Sequence, residues 1–208
     1  MCGCTDSQSA DKGKEKNVLN VKKEIKKENA EEQALEAKIV LLWDSGVGKS
    51  SIALRFCKNE FSEAHEVTIG SAYIQQTITL SSGKILKLHI WDTGGSEKFR
   101  ALIPLYYRDA NAAILTYDVS REKSFDAVQY WLNEISTKAD ISKMVLALAG
   151  NKCDIPPYDR KISHAKGKQF GDENSMVFKE TSAKTNQGIS ELFKEIAIKI
   201  YEKKYGKI

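Results

Sequence analysis

The stretch Asp44-Ser45-Gly46-Val47-Gly48-Lys49-Ser50 has the residue types and spacing needed to hold a polyphosphate. Small residues let successive backbone N–H groups turn inward around anionic oxygens at the positive end of a helix. Gly46 and Gly48 permit that path, and Ser45, Val47 and Ser51 share the cradle. Lys49 supplies a point charge for the β- and γ-phosphates, and the Ser50 hydroxyl suits Mg²⁺. The phosphate-loop pattern starts with a glycine separated by four residues from the Gly-Lys-Ser, and here that position is Trp43. Phosphate contacts come mainly from the later residues, so the indole is expected to be tolerated with its ring turned away. Farther on, Trp91-Asp92-Thr93-Gly94-Gly95 ends a strand with a carboxylate and a flexible turn. Asp92 suits the Mg²⁺ shell, and the Gly95 N–H can meet a γ-phosphate. An Asp that merely caps a turn is the plainer reading, and its arrival at the same sheet edge as the phosphate loop weakens it.

Two tetrapeptides follow later strands: Asn151-Lys152-Cys153-Asp154 and Thr181-Ser182-Ala183-Lys184. A carboxylate accepts only, so Asp154 can take both N1–H and N2–H₂ of guanine, a pair that adenine lacks. The Ala183 N–H can donate to guanine O6, with Ser182 beside it in the same turn. Lys152 and Lys184 have alkyl stems able to flank the base plane. Each tetrapeptide is common alone; in this order, behind a phosphate loop, they are specific.

Such loops need a scaffold that brings them to one edge. Apolar runs at 37–43, 112–118 and 144–150 read as buried parallel strands, and Met176–Glu180 as a last strand. Alternation at Ala72, Ile74, Ile78 and Leu80, a turn at 81–84 and the run Ile85–Trp91 read as a hairpin. Lys49–Lys58, about 122–138, and an apolar face of Ile189, Leu192, Phe193, Ile196, Ile200 and Tyr201 read as helices. The expectation is a doubly wound α/β fold, a mostly parallel six-stranded sheet with one antiparallel edge hairpin. Chemistry then belongs in the loops after 43, 91, 118, 150 and 181, where the motifs stand.

Composition agrees. With 208 residues, 41% hydrophobic and 29% charged, the chain is globular rather than fibrous or wholly disordered. The net charge of +4 is too mild to argue for nucleic acid. No run is long enough to span a bilayer, no secretory signal is legible, and Cys and His show no zinc spacing. Residues 1–36 stand apart as a flexible charged tail, with seven Lys, eight acidic residues and no aromatic residue; 37–208 form the domain.

With all motifs in place, the chain resembles the Ras superfamily of small GTPases over about 37–204, and within it the Rab family. The resemblance implies the P-loop GTPase fold, with GTP/GDP and Mg²⁺ as ligands. Thr68-Ile69-Gly70 matches the Rab effector loop, which implies that Thr68 senses the γ-phosphate and Mg²⁺ and that Phe61 packs on the guanine. Tyr73, Trp91 and Tyr106 match the aromatic triad that effectors read, with Ile69 on the same surface. Lys98-Phe99-Arg100 through Leu105–Arg108 matches the second switch. The stretches 106–117 and 150–184 are most similar to the early-endosomal, five-type Rab branch.

The implied function is a monomeric GTP-binding switch in vesicle and endosomal traffic, working with effectors, an exchange factor and a GTPase-activating protein. Its catalytic set would be Thr68, Gly95 and Ser96. Ser96 replaces the family's water-orienting glutamine, and its short hydroxyl cannot span that distance, so slow hydrolysis is expected. Trp43 and Ser96 together keep an alternative open, a nucleotide-locked or nucleotide-poor Rab-like scaffold; a P-loop kinase is disfavoured by Asn151–Asp154. The C-terminus lacks prenylatable cysteines, so Cys2 and Cys4 are the candidate acylation sites of a cytoplasmic protein attached peripherally to endosomal or vesicle membranes.

Overall fold

The structure, a computed structural model, describes residues 35–42, 44–63, 68–95 and 102–207. Six strands form one sheet: β1 (Leu35–Leu42), β2 (Ser71–Thr79), β3 (Ile85–Thr93), β4 (Ala112–Asp118), β5 (Val145–Asn151) and β6 (Val177–Thr181). Their order is β2-β3-β1-β4-β5-β6. β2 and β3 pair antiparallel from Ser71↔Thr93 to Thr79↔Ile85, and β1, β4, β5 and β6 pair in parallel. The expected architecture is the observed one.

The central strands are apolar on both faces because helices cover both faces. Every residue of β4 is buried. The main helices are α1 (Lys49–Lys58), α3 (Glu122–Lys138), α4 (His164–Glu173) and α5 (Ile189–Tyr205), with a short α2 at Ile103–Tyr107. Phe125, Val128, Trp131, Leu132 and Ile135 of α3 pack into the core. α5 buries Ile189, Leu192, Phe193, Ile196 and Ile200, the face read from its periodicity. Phe56 of α1 stacks on Phe193, with ring centroids 3.9 Å apart.

Three differences from the sequence reading have physical causes. β1 begins at Leu35, two residues earlier than its apolar run, because Glu36 is charged yet satisfied at the sheet. Its carboxylate lies 3.6 Å from Lys87 and 3.5 Å from His89 of β3. β3, β5 and β6 each run one or two residues farther than expected, so Asp92, Thr93, Asn151 and Thr181 are ladder residues rather than loop residues. The third difference is α4, which has no legible apolar stripe. Its inner face is Gly167 and Gly171, both buried. A Cβ on Gly167 would lie 2.3 Å from Tyr117 Oη and 2.9 Å from the Phe178 ring. The helix is held by closeness of approach, which hydropathy does not record.

Candidate functional site

The loop 44–48 leaves β1 and enters α1 through Gly48, whose φ of +95° is a left-handed conformation suited to glycine. A Cβ there would also meet Asn151 Nδ2 at 2.3 Å. Lys49, the first residue of α1, is 5% exposed and donates from Nζ to Asp44 O at 2.9 Å. Burial pulls its pKa down to about 8, against the opposing pull of the Asp92 and Asp44 carboxylates. An ammonium so deeply buried is stabilised further when an anion joins it.

Opposite the loop, Ser50, Thr68 and Asp92 converge. Ser50 Oγ and Thr68 Oγ1 are 2.7 Å apart, Ser50 donates to Asp92 Oδ2, and Thr68 Oγ1 lies 3.4 Å from the same oxygen. Two hydroxyls and a carboxylate are hard oxygen donors of the kind Mg²⁺ takes when phosphates complete its shell. The donor set therefore fits that ion. Gly95 faces the phosphate loop so closely that a Cβ would overlap Asp44 C and Ser45 N, both at 2.3 Å.

A cleft of about 290 Å³ runs along this loop, lined by Ser45, Gly46, Gly48, Lys49, Ser50, Ser51, Phe61, Thr68, Gly95 and Lys152 among others. A smaller recess of about 130 Å³ is lined by Gly48, Ser51, Phe61, Asn151, Lys152, Asp154, Ala183 and Lys184. Gly48, Ser51, Phe61 and Lys152 belong to both. The two hollows therefore adjoin across shared walls, the larger along the phosphate loop and the smaller, a slot, at Asp154 and Ala183.

The slot is built from the ends of β5 and β6. Asn151, buried, donates from Nδ2 to Val47 O at 2.9 Å and accepts from Thr181 Oγ1 at 3.2 Å. Lys152 Nζ reaches Gly46 O at 2.9 Å. Ser182 is buried and spends its Oγ on the Thr185 N–H, at 3.0 Å, so it shapes the turn that presents Ala183. Val47 points its side chain into the core and contributes backbone alone. Lys184 bridges to Glu63 across the mouth of the slot, at 2.7 Å.

Three aromatic rings form a separate surface. Tyr73 and Trp91 have centroids 5.4 Å apart, and Trp91 and Tyr106 6.1 Å. Ile69, two residues before β2, is 86% exposed. Tyr73 Oη is also held by His89 Nδ1 at 2.6 Å, a partner the sequence reading did not include.

Trp43, Ser96, Cys2 and Cys4 lie outside the described residues. Two further residues were missed by the sequence reading. Asp118 ends β4 and Arg121 precedes α3, in a loop expected to carry chemistry but without a motif of its own. Asp118 is 2% exposed, accepts from Ser120 N and Oγ at 2.9 and 2.6 Å, and pairs with Lys152 Nζ at 2.7 Å and Arg121 Nε at 3.3 Å. Burial works to raise its pKa, but hydrogen bonds from Lys152 and Ser120 outweigh that and hold it below the ordinary aspartate value. The only earlier signal was an Asp at the carboxyl end of a strand.

Comparison with known proteins agrees with this geometry. The Ras family model matches residues 38–202. The chain is similar to Ras-related protein Rab-5B of Plasmodium falciparum (isolate 3D7), 43% identical over 202 residues, which are 97% of this chain and 95% of that one. It is similar to GTP-binding protein ypt5 of Schizosaccharomyces pombe, 42% identical over 166 residues (80% and 78% of the two chains). Ras-related protein Rab-5A of Dictyostelium discoideum is 43% identical over 172 residues (83% and 84%).

Proposed function

The chain belongs to the Ras family, and from that premise we propose that it is a Rab5-type GTP hydrolase that switches endosomal membrane traffic. What carries the reading is the pair of adjoining hollows, one lined by the phosphate cradle and the other by the Asp154 carboxylate, with Phe61 and Lys152 in the wall of both. A guanine in the slot and phosphates on the loop would share the Phe61 and Lys152 walls between them.

Each residue has a task in that reading. Asp154 selects guanine by accepting two N–H bonds, Ala183 N–H donates to O6, and Phe61, Lys152 and Lys184 cover the ring faces. The inward N–H groups of the loop and the Lys49 ammonium hold the β- and γ-phosphates. Ser50, Thr68 and Asp92 would hold Mg²⁺, which when bound would supply positive charge to neutralise the phosphates. Hydrolysis breaks the bond between the γ-phosphorus and the bridging oxygen as water adds to phosphorus, giving GDP and inorganic phosphate. Gly95 N–H and Thr68 sense the γ-phosphate, and its loss frees both from that contact. Because Ile69 and Tyr73 lie close to Thr68 in the chain and Trp91 next to Asp92, the aromatic surface reports the nucleotide state to effectors. An exchange factor and an activating protein would set the cycle, with the protein acting as a monomer peripherally attached to endosomal membranes.

The nucleotide content of the purified protein tests this. Extracts should contain GDP or GTP, and an emptied sample with Mg²⁺ should reload with GTP but not ATP. A chain that holds none and cannot be loaded is a scaffold instead, and Trp43→Gly then shows whether the indole is the cause.

A further inference from the structure

Three consecutive peptide carbonyls of the phosphate loop are each held from outside by a side chain from another element. Arg121 Nη2 donates to Ser45 O at 3.3 Å, Lys152 Nζ to Gly46 O at 2.9 Å, and Asn151 Nδ2 to Val47 O at 2.9 Å. In a trans peptide the C=O and N–H point in opposite directions. Holding those three oxygens outward therefore aims the N–H groups of Gly46, Val47 and Gly48 the other way, into the cleft.

Two of the three holders are cations, and both are fixed by one buried carboxylate. Asp118 Oδ2 takes Lys152 Nζ at 2.7 Å and Arg121 Nε at 3.3 Å, while Oδ1 is satisfied by Ser120. Arg121 is half exposed and Asp118 almost wholly buried. The guanidinium fork suits this task, since Nε can face the carboxylate while Nη2 faces the carbonyl. The guanidinium lies against Gly46, since a Cβ there would stand in ordinary contact with Nη2, at 3.8 Å.

We infer that Arg121 is a positioning residue of the nucleotide site: fixed by Asp118, it grips Ser45 O so that the Gly46 N–H faces the phosphates, and so slows nucleotide release. The inference rests on the guanine-nucleotide reading and adds to it a group that lines neither hollow. A loop freed at Ser45 can rotate its peptide and lose one inward donor.

Dissociation of fluorescent GDP from the full chain, in excess Mg²⁺ and unlabelled GDP, tests this. Arg121→Gln should release GDP about five- to tenfold faster, the equivalent of one ordinary net hydrogen bond at a half-exposed site. Arg121→Lys keeps the charge but lacks the fork that faces carboxylate and carbonyl together, so it should recover part of the difference, which it would not after a general loss of packing. Because the side chain lies at the surface, neither change leaves a cavity. Arg121→Gln within twofold of the wild-type rate overturns the inference, and so does an Arg121→Lys rate equal to that of Arg121→Gln. Wild-type protein that binds no GDP refutes the nucleotide reading itself, a separate result.

Discussion

In the proposed function, Asp154 is the residue that selects the base. Asn in its place offers one acceptor and one donor, so guanine loses a bond and meets a misplaced N–H, whereas the C2 oxygen of xanthine needs a donor. Asp154→Asn should weaken GDP binding by about 3 kcal/mol or more, and xanthosine diphosphate should become the better ligand in competition assays. Lys49 carries a pH signature. Its pKa of about 8 in the free protein lies below the unfolded value of about 10.4, so the cost of burying the charge is present below pH 8. That cost fades as pH rises through 8, and the nucleotide-free protein gains stability between there and the unfolded pKa. Phosphates would restore the proton, so at pH 8 GDP binding should take up about half a proton. Calorimetry in buffers of different ionisation heat measures it, and no uptake would place Lys49 away from the phosphates. Ser96→Gln should raise the intrinsic single-turnover rate of GTP hydrolysis above a starting value of roughly 10⁻⁴ to 10⁻³ per second or less. An unchanged rate would remove position 96 from the orientation of water.

At the scale of elements, α4 shows how a helix can dock without an apolar stripe. Gly167 brings its backbone onto Tyr117 and Phe178, and the Tyr117 hydroxyl is buried there without a hydrogen-bond partner among the described residues. Burial pushes that phenol well above its usual pKa. Tyr117→Phe removes an unsatisfied hydroxyl and should be neutral or stabilising by about 1 kcal/mol. Gly167→Ala should destabilise by about 1–3 kcal/mol through overpacking. Because the closest atom to the new methyl is the Tyr117 oxygen, the two changes should couple: Gly167→Ala should cost less in the Tyr117→Phe background than beside the native tyrosine. Urea unfolding of the four proteins completes the cycle, and strict additivity would mean that the Phe178 ring alone sets the limit.

At the scale of the whole molecule, a switch in membrane traffic needs a membrane contact. No described helix is long and apolar enough to cross a bilayer. The similarity to Rab-5B covers 97% of the chain, so it extends well into the segment that precedes the domain. That segment carries Cys2 and Cys4, then seven Lys against Glu15 and Glu24 between Lys12 and Lys27. One acyl chain holds only marginally, and each Lys near an anionic leaflet adds up to about 1 kcal/mol, so thioester lipid plus the basic run would suffice. The double change Cys2→Ser, Cys4→Ser should move the protein from the membrane to the soluble fraction in its own cell type with GTP binding intact. Membrane association that survives the change would refute this anchor.

The order of the motifs, the alternation of strand and helix and the edge hairpin were legible in the sequence. Phosphate loops and base-reading tetrapeptides act through contiguous backbone, and a parallel strand announces itself by being apolar on both faces. Motif order on a doubly wound sheet sends Ser50 and Asp92 to one edge, whereas Thr68 joins them in the sequence only through the resemblance to the Rab effector loop. What only the tertiary structure decided are contacts between residues far apart in the chain whose types carry no pattern. Asp118, Arg121 and Lys152 become a grip on Ser45 and Gly46 only when β4 and β5 end, and α3 begins, beside the loop. The glycine face of α4 becomes a docking surface only when Tyr117 and Phe178 supply the other half. A lone Asp, an exposed Arg and two glycines have no period and no fixed spacing, so their roles come from packing that the local sequence does not encode.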